Sequence, residues 1–159
     1  MSLASSMYAP DGFLFISTLS LIITTANSMI HRVDSESVGG NGSSWDTACN
    51  GLTSTLERAS NGDTVWWKGN SSYLPTTLRR DSCFSVPFNV SIYGGFKGNE
   101  ISIDERPVST DEKANYESIL SGNIGNIFEI DDHCYHVLTF DESLHLDRVT
   151  ISDGAAIWK

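Results

Sequence analysis

Residues 84–100 read FSVPFNVSIYGGFKGNE, and this stretch decides how the rest of the chain is read. Phe84 and Val86 alternate with a polar residue, as do Val90 and Ile92, and Pro87 lies between the two runs. Alternation with period two is the mark of a strand with one face buried, while proline punctuates it. The second run stops on Gly94-Gly95 and Gly98, so the stretch predicts strand, corner, strand, corner.

Working outward, the same grammar recurs. Thr64-Val65-Trp66-Trp67-Lys68 predicts a strand between Asp63 and Gly69, and Ile119-Leu120-Ser121-Gly122 predicts another before a turn at 123–126. Residues 127–130 and 135–140 are further short strand candidates. In 144–151, Leu146, Val149 and Ile151 carry the spacing of a chain that turns a corner between two inward-facing runs. No Asn-Gly pair joins two matched alternating runs, so hairpins and an up-and-down barrel are not expected. Only residues 45–59 change period. Trp45, Ala48, Cys49, Leu52, Leu56 and Ala59 fall at helical spacing, Ser44 or Asp46 would cap the start, Gly51 lies mid-helix, and Asn61-Gly62 ends it. No other helix is needed, and residues 101–116 read as a charged surface loop containing Pro107. Stacked coils of an all-β chain with one N-terminal capping helix fit best.

Bulk composition narrows the function. The chain has 159 residues, enough for one domain, with 40% hydrophobic and only 19% charged residues and a net charge of -10. Lys and Arg total 10 and are scattered, so no basic surface is available to neutralise phosphates, and a nucleic-acid partner is not expected. Cys49, Cys83 and Cys134 are too few and too widely spaced for a disulfide scaffold. One bridge plus a thiol, or three buried cysteines, both remain open.

Residues 13–26, FLFISTLSLIITTA, form an uncharged apolar run. The run is shorter than the ~20 residues of a membrane span and suits a signal-peptide core, with Thr24-Thr25-Ala26 or Ala26-Asn27-Ser28 supplying small residues for cleavage. Residues 1–12 hold no Lys or Arg, so an uncleaved anchor is the alternative. Residues 1–28 are therefore read as a signal-like or anchor segment, and 29–159 as cap and first coils. Membrane contact is expected only through 13–26 if the segment is retained, and the compartment is extracellular or the cell surface.

The ordered set of motifs resembles extracellular right-handed parallel β-helix proteins of the pectin-lyase-like superfamily. It comprises Gly42-Ser43-Ser44-Trp45 with Ala48, Leu52 through Ala59, and Gly62-Asp63-Thr64-Val65-Trp66, then Val90-Ser91-Ile92-Tyr93-Gly94-Gly95-Phe96. Arg106-Pro107, Ile119-Leu120-Ser121-Gly122, Tyr135-His136-Val137 and Leu146-Asp147-Arg148-Val149-Thr150-Ile151 complete it. The resemblance implies that the early helix covers the open end of a solenoid, which otherwise exposes strand edges and an apolar lumen. Trp67 and the helix-interrupting Gly51 depart from the pattern. Chains of this kind run on for many more coils, so a truncated solenoid is expected here, and no catalytic residue of the family carries over.

Candidate chemistry is thin. On a strand, Cys134 and His136 point one way and His133 the other, too few for zinc. Asp131-Asp132, Asp141-Glu142 and Asp147 would take Ca²⁺ only if stacking brought them together, and they lack a calcium-loop spacing. Asp147 and Arg148 read as a surface ion pair rather than as a base, because the carboxylate raises the arginine pKa. No catalytic, cofactor or metal residue is assigned. Trp66, opposite in parity to Val65 and Trp67, is the aromatic expected to be exposed and to contact a carbohydrate. Asn41, Asn70 and Asn89 begin N-glycosylation triplets at predicted turns. The expected function is structural, adhesive or ligand-displaying on a polysaccharide or surface ligand, without catalysis. The alternative is the N-terminal part of a polysaccharide lyase or glycoside hydrolase whose active site lies in further coils.

Overall fold

A computed structural model describes residues 7–8, 14–15, 28–75, 79–81, 83–125 and 130–155. Beyond the short antiparallel pair β1 (Met7–Tyr8) and β2 (Leu14–Phe15), the chain is predominantly β and its sheets are parallel. The strands are β3 (Ile30–Val33), β4 (Thr64–Lys68), β5 (Ser71–Tyr73), β6 (Phe84–Val86), β7 (Ser91–Phe96), β8 (Ser118–Ser121), β9 (Leu138–Phe140), β10 (His145–Asp147) and β11 (Val149–Ser152). One sheet has the order β10-β7-β4-β3, a second β11-β8-β5, and a third pairs β6 with β9. After the β3–β4 pair, consecutive strands lie in different sheets, and from β7 onward each new strand lies in parallel beside the one three places earlier.

Register turns the alternation into rows of stacked side chains. His31, Val65, Ile92 and Leu146 align across the first sheet, Tyr73, Leu120 and Ile151 across the second, and Phe84 with Leu138 across the third. Because the side-chain period is two, these aligned positions share the inner face. Burial fades along the stack: Val65, Ile92, Leu120 and Phe84 are fully buried, Leu146 and Leu138 are half-buried, and Ile151 and Phe140 are about half exposed.

Corners recur as left-handed backbone. Gly62, Asn89 and Glu142 precede β4, β7 and β10 with φ of 88°, 55° and 61°. Gly62 N–H donates to Asn89 O (3.1 Å) and Asn89 Nδ2 donates to Asn61 Oδ1 (2.8 Å), so these corners also stack. Asn70 and Arg148, at φ 58° and 56°, turn β4 into β5 and β10 into β11. Arg148 is thus the corner that the spacing of 144–151 predicts.

The helix is shorter than its period suggests. The helix α1 covers only Leu52–Leu56, and Gly51 is its extended N-cap, not a mid-helix residue. Residues 45–50 are withheld because Cys49 joins the sheet edge: its N–H donates to Arg32 O (2.9 Å) and its carbonyl accepts from Asp34 N–H (2.9 Å). Ladder bonds at the edge of β3 outcompete a helical turn there. Leu52, Thr55 and Leu56 are buried, and α1 packs against β6 and β3. A second helix, α2 (Thr110–Asn115), and a 3₁₀ turn at Ile103–Glu105 lie within the stretch expected to be plain loop. Of 127–130, only Ile130 is described. It opens a 3₁₀ turn (Ile130–Asp132) instead of ending a strand. Most of the apolar run 13–26 lies outside the described residues.

Gly94-Gly95 is not a corner, since β7 runs through both to Phe96. The register shifts between Trp66↔Tyr93 and Lys68↔Phe96, so β7 carries one extra residue at this point. A Cβ on Gly94 would lie 2.3 Å from Arg148 O and 2.8 Å from Ser118 Cβ, both held by neighbouring strands. Gly94→Ala is expected to lower stability by about 1–3 kcal/mol by overpacking, read as a fall in the urea midpoint at unchanged slope. A variant as stable as the parent would contradict the close approach.

Candidate ligand surface

The outer face of the four-stranded sheet carries the aromatic and charged side chains that the inner face excludes. Register places Arg32, Trp66, Tyr93 and Asp147 in one outer row. Residues 97–117 leave β7 and fold back over part of this row. Their start is fixed by Glu100, 3% exposed, whose carboxylate accepts the N–H groups of Lys97 (2.6 Å), Gly98 (3.0 Å) and Asn99 (3.0 Å). Its carbonyl accepts from Trp45 Nε1 (2.9 Å), tying the segment to the loop before α1.

Arg106 is the clasp. It is 7% exposed, and its guanidinium donates to Ile103 O (3.0 Å), Gly94 O (3.0 Å) and Asp147 Oδ2 (2.7 Å), lying over Tyr93 and Phe96 at 5.5 and 5.3 Å. The Arg106 hydrogen bond holds the Asp147 carboxyl below its ordinary range, against the opposing effect of burial. Asp147 and Arg148 are consequently not the expected pair: Arg148 turns away and donates to Pro107 O (2.6 Å). The left-handed corner at Arg148 sends the two neighbours in different directions. Arg106→Ala is expected to cost about 2–4 kcal/mol, since buried carbonyls and a carboxylate lose charged donors. Limited proteolysis should then cut first within 97–117. Unchanged protection of that segment would refute the clasp.

Trp66 is not the exposed aromatic that its parity suggests. It faces outward but is only 5% exposed, stacked on Phe96 at 4.7 Å and covered by Arg32 at 5.0 Å. Parity sets the direction of its side chain, but not the stacking of Phe96 from the end of β7 or the Arg32 guanidinium from β3 on the same face. Trp66 still contributes to the wall of a shallow groove of about 460 Å³, with Tyr93, Thr64, Ile30, Ile101 and Ile103. Half-buried Tyr93 and exposed His145 lie in tilted contact at 5.1 Å beside it, and Ile101 is 82% exposed. An aromatic wall with the neighbouring hydroxyls of Ser28, Thr64 and Ser102 offers stacking and hydrogen bonding.

Other candidates are dispersed. His133 and Cys134 are buried whereas His136 is exposed. Burial raises the Cys134 thiol above its ordinary value. Asp131, Asp141 and Glu142 are exposed, and among the described residues no group of three or more His, Cys, Asp or Glu side chains is placed to hold a metal ion. Asp153 accepts from Ser121 Oγ and Ser152 Oγ, both 2.7 Å, which hold its carboxyl low. The three cysteines are free. Asn41, Asn70 and Asn89 are all exposed. Asn41 Oδ1 accepts from Ser43 N–H and Ser43 Oγ, and Asn70 and Asn89 occupy the left-handed corners described above.

Comparison with protein-family models, curated proteins and solved structures found no match. The likeness to pectin-lyase-like proteins therefore rests on the motifs quoted from the sequence.

Proposed function

We propose that residues 29–155 are the cap and first coils of a right-handed parallel β-helix, secreted or displayed at the cell surface, that serves a structural, adhesive or ligand-displaying role without catalysis of its own. The observation that carries the architecture is the cyclic return of the chain to the same parallel sheets, with left-handed corners stacked between strands. The non-catalytic role is supported by how the outer charges are used: Asp147, Glu100 and Arg106 all serve the folded-back segment.

The ligand class this surface suits is a neutral or weakly charged polysaccharide laid along the groove beside Tyr93 and Trp66. Glycans at Asn41, Asn70 and Asn89 would project from corners and leave this groove uncovered. A second reading, the first coils of a carbohydrate-active enzyme, draws on the same groove and differs only in turnover. Both are tested by incubating the protein with polygalacturonate and mixed plant and bacterial glycans, with and without Ca²⁺, while measuring retention and cleavage. Binding without cleavage, weakened in Tyr93→Ala, supports display. Turnover abolished in Asp147→Asn would replace it with the enzyme reading.

A further inference from the structure

Asp63 is a buried carboxylate whose partners suggest a covalent history for the chain. It is 4% exposed, and among the described residues His31 is its one side-chain ion partner, at 2.9 Å, with no Lys or Arg beside it. Oδ2 also accepts Ser60 N–H (2.9 Å), and Oδ1 accepts the main-chain N–H of Met29 (2.8 Å). Met29 is held in place from the other side, where its carbonyl accepts Thr64 N–H at 2.8 Å. Ser28 and Met29 are both exposed, so the peptide bond between them lies at the surface while the nitrogen it contributes points at a buried negative charge. Just upstream, Ala26-Asn27-Ser28 places small residues at the third and first positions before that bond, the pattern a signal peptidase accepts.

We infer that the Ser28–Met29 bond is the processing site and that the α-ammonium freed at Met29 is captured by Asp63. Water adds across the C–N bond: Ser28 leaves with the leader as a carboxylate, and the Met29 nitrogen takes a proton, with no redox change. The donor at 2.8 Å thereby becomes a cation with three N–H groups, placing a full positive charge beside a buried carboxylate that has no Lys or Arg partner among the described residues. Cleavage two residues earlier would leave a neutral amide at this position. The processed chain is therefore locked at its new start, and β3 is anchored at the edge of its sheet.

The inference rests on the secretion reading, and one experiment separates them. The full chain is expressed in a secreting host, and the N-terminus of the product is sequenced. Its α-amine is then acetylated under native conditions and in urea. The expected product begins at Met29, and its amine reacts at least about tenfold more slowly in the native protein than in urea, because the buried Asp63 carboxylate favours the protonated, unreactive form. In Asp63→Asn the same start is expected with that protection lost; the comparison of native with unfolded parent stands even if the variant does not fold. A secreted product starting elsewhere, or a Met29 amine equally reactive in both states, overturns the capture and leaves secretion intact. A product that retains residues 1–28 overturns both.

Discussion

Trp67→Ala is expected to unfold the protein or bring it to the edge of unfolding. Trp67 is fully buried on the inner face, aligned with fully buried Val33 and in edge contact with Tyr73 at 4.4 Å. Truncating a buried tryptophan costs about 3–5 kcal/mol in lost burial and residual cavity, a large share of the ~5–15 kcal/mol by which domains are stable. The rows above and below are pinned by parallel ladders, so the walls cannot collapse into the space. Trp67→Phe keeps most of the volume and should lose much less. Urea unfolding followed by circular dichroism separates them, and a midpoint for Trp67→Ala close to the parent would show that the inner rows are not tightly packed.

The second large effect is at Asp63. Asp63→Ala removes the acceptor for Met29 N–H, Ser60 N–H and His31 in a buried corner, with an expected loss of about 3–5 kcal/mol, because the donors are left without partners. Burial alone would raise the Asp63 carboxyl, but the hydrogen bonds from Ser60, His31 and Met29 outweigh it and hold it below its ordinary 3.8. A carboxyl depressed in the folded state stabilises fully above its unfolded value, and that contribution fades as pH falls through the folded value. The stability gap between the parent and Asp63→Asn should thus be widest near neutral pH and narrow below about pH 4. Asp147 and Asp153 are also depressed and titrate in both proteins, so they cancel in the difference, which reports the corner of Asp63 with its His31 partner. A gap that stays constant down to pH 2 would show that Asp63 is not held ionised by its corner.

Much of the architecture was legible because its causes are local. The strand bounds Thr64–Lys68 and Phe84–Val86 follow from alternation and flanking punctuation, and the corner at Arg148 follows from the broken parity of Leu146, Val149 and Ile151. The misreadings share a different cause. Cys49 has helical spacing with Leu52 and Leu56, yet its backbone bonds to β3, a partner far along the chain that no window of sequence contains. Gly94-Gly95 has the composition of a turn, but the same freedom from Cβ serves a close approach to Arg148 and Ser118 inside a strand. Arg106 and Glu100 were visible as residues, while their roles depend on a folded-back segment whose contacts lie across the sheet.

The candidate surface divides in the same way. Trp66 and Tyr93 are outward-facing by parity alone, and register aligns them in one row. Whether an outward residue meets solvent depends on what is laid over it: Phe96 and Arg32 cover Trp66, while Tyr93 stays half open. By itself the sequence determined the short alternating strands, their corners and a scarcity of basic charge, because each arises from neighbours in the chain. Only the tertiary structure decided which strands stack, where α1 begins, which indole is covered and which amide faces Asp63, because each of these arises from hydrogen bonds and burial between residues distant in sequence.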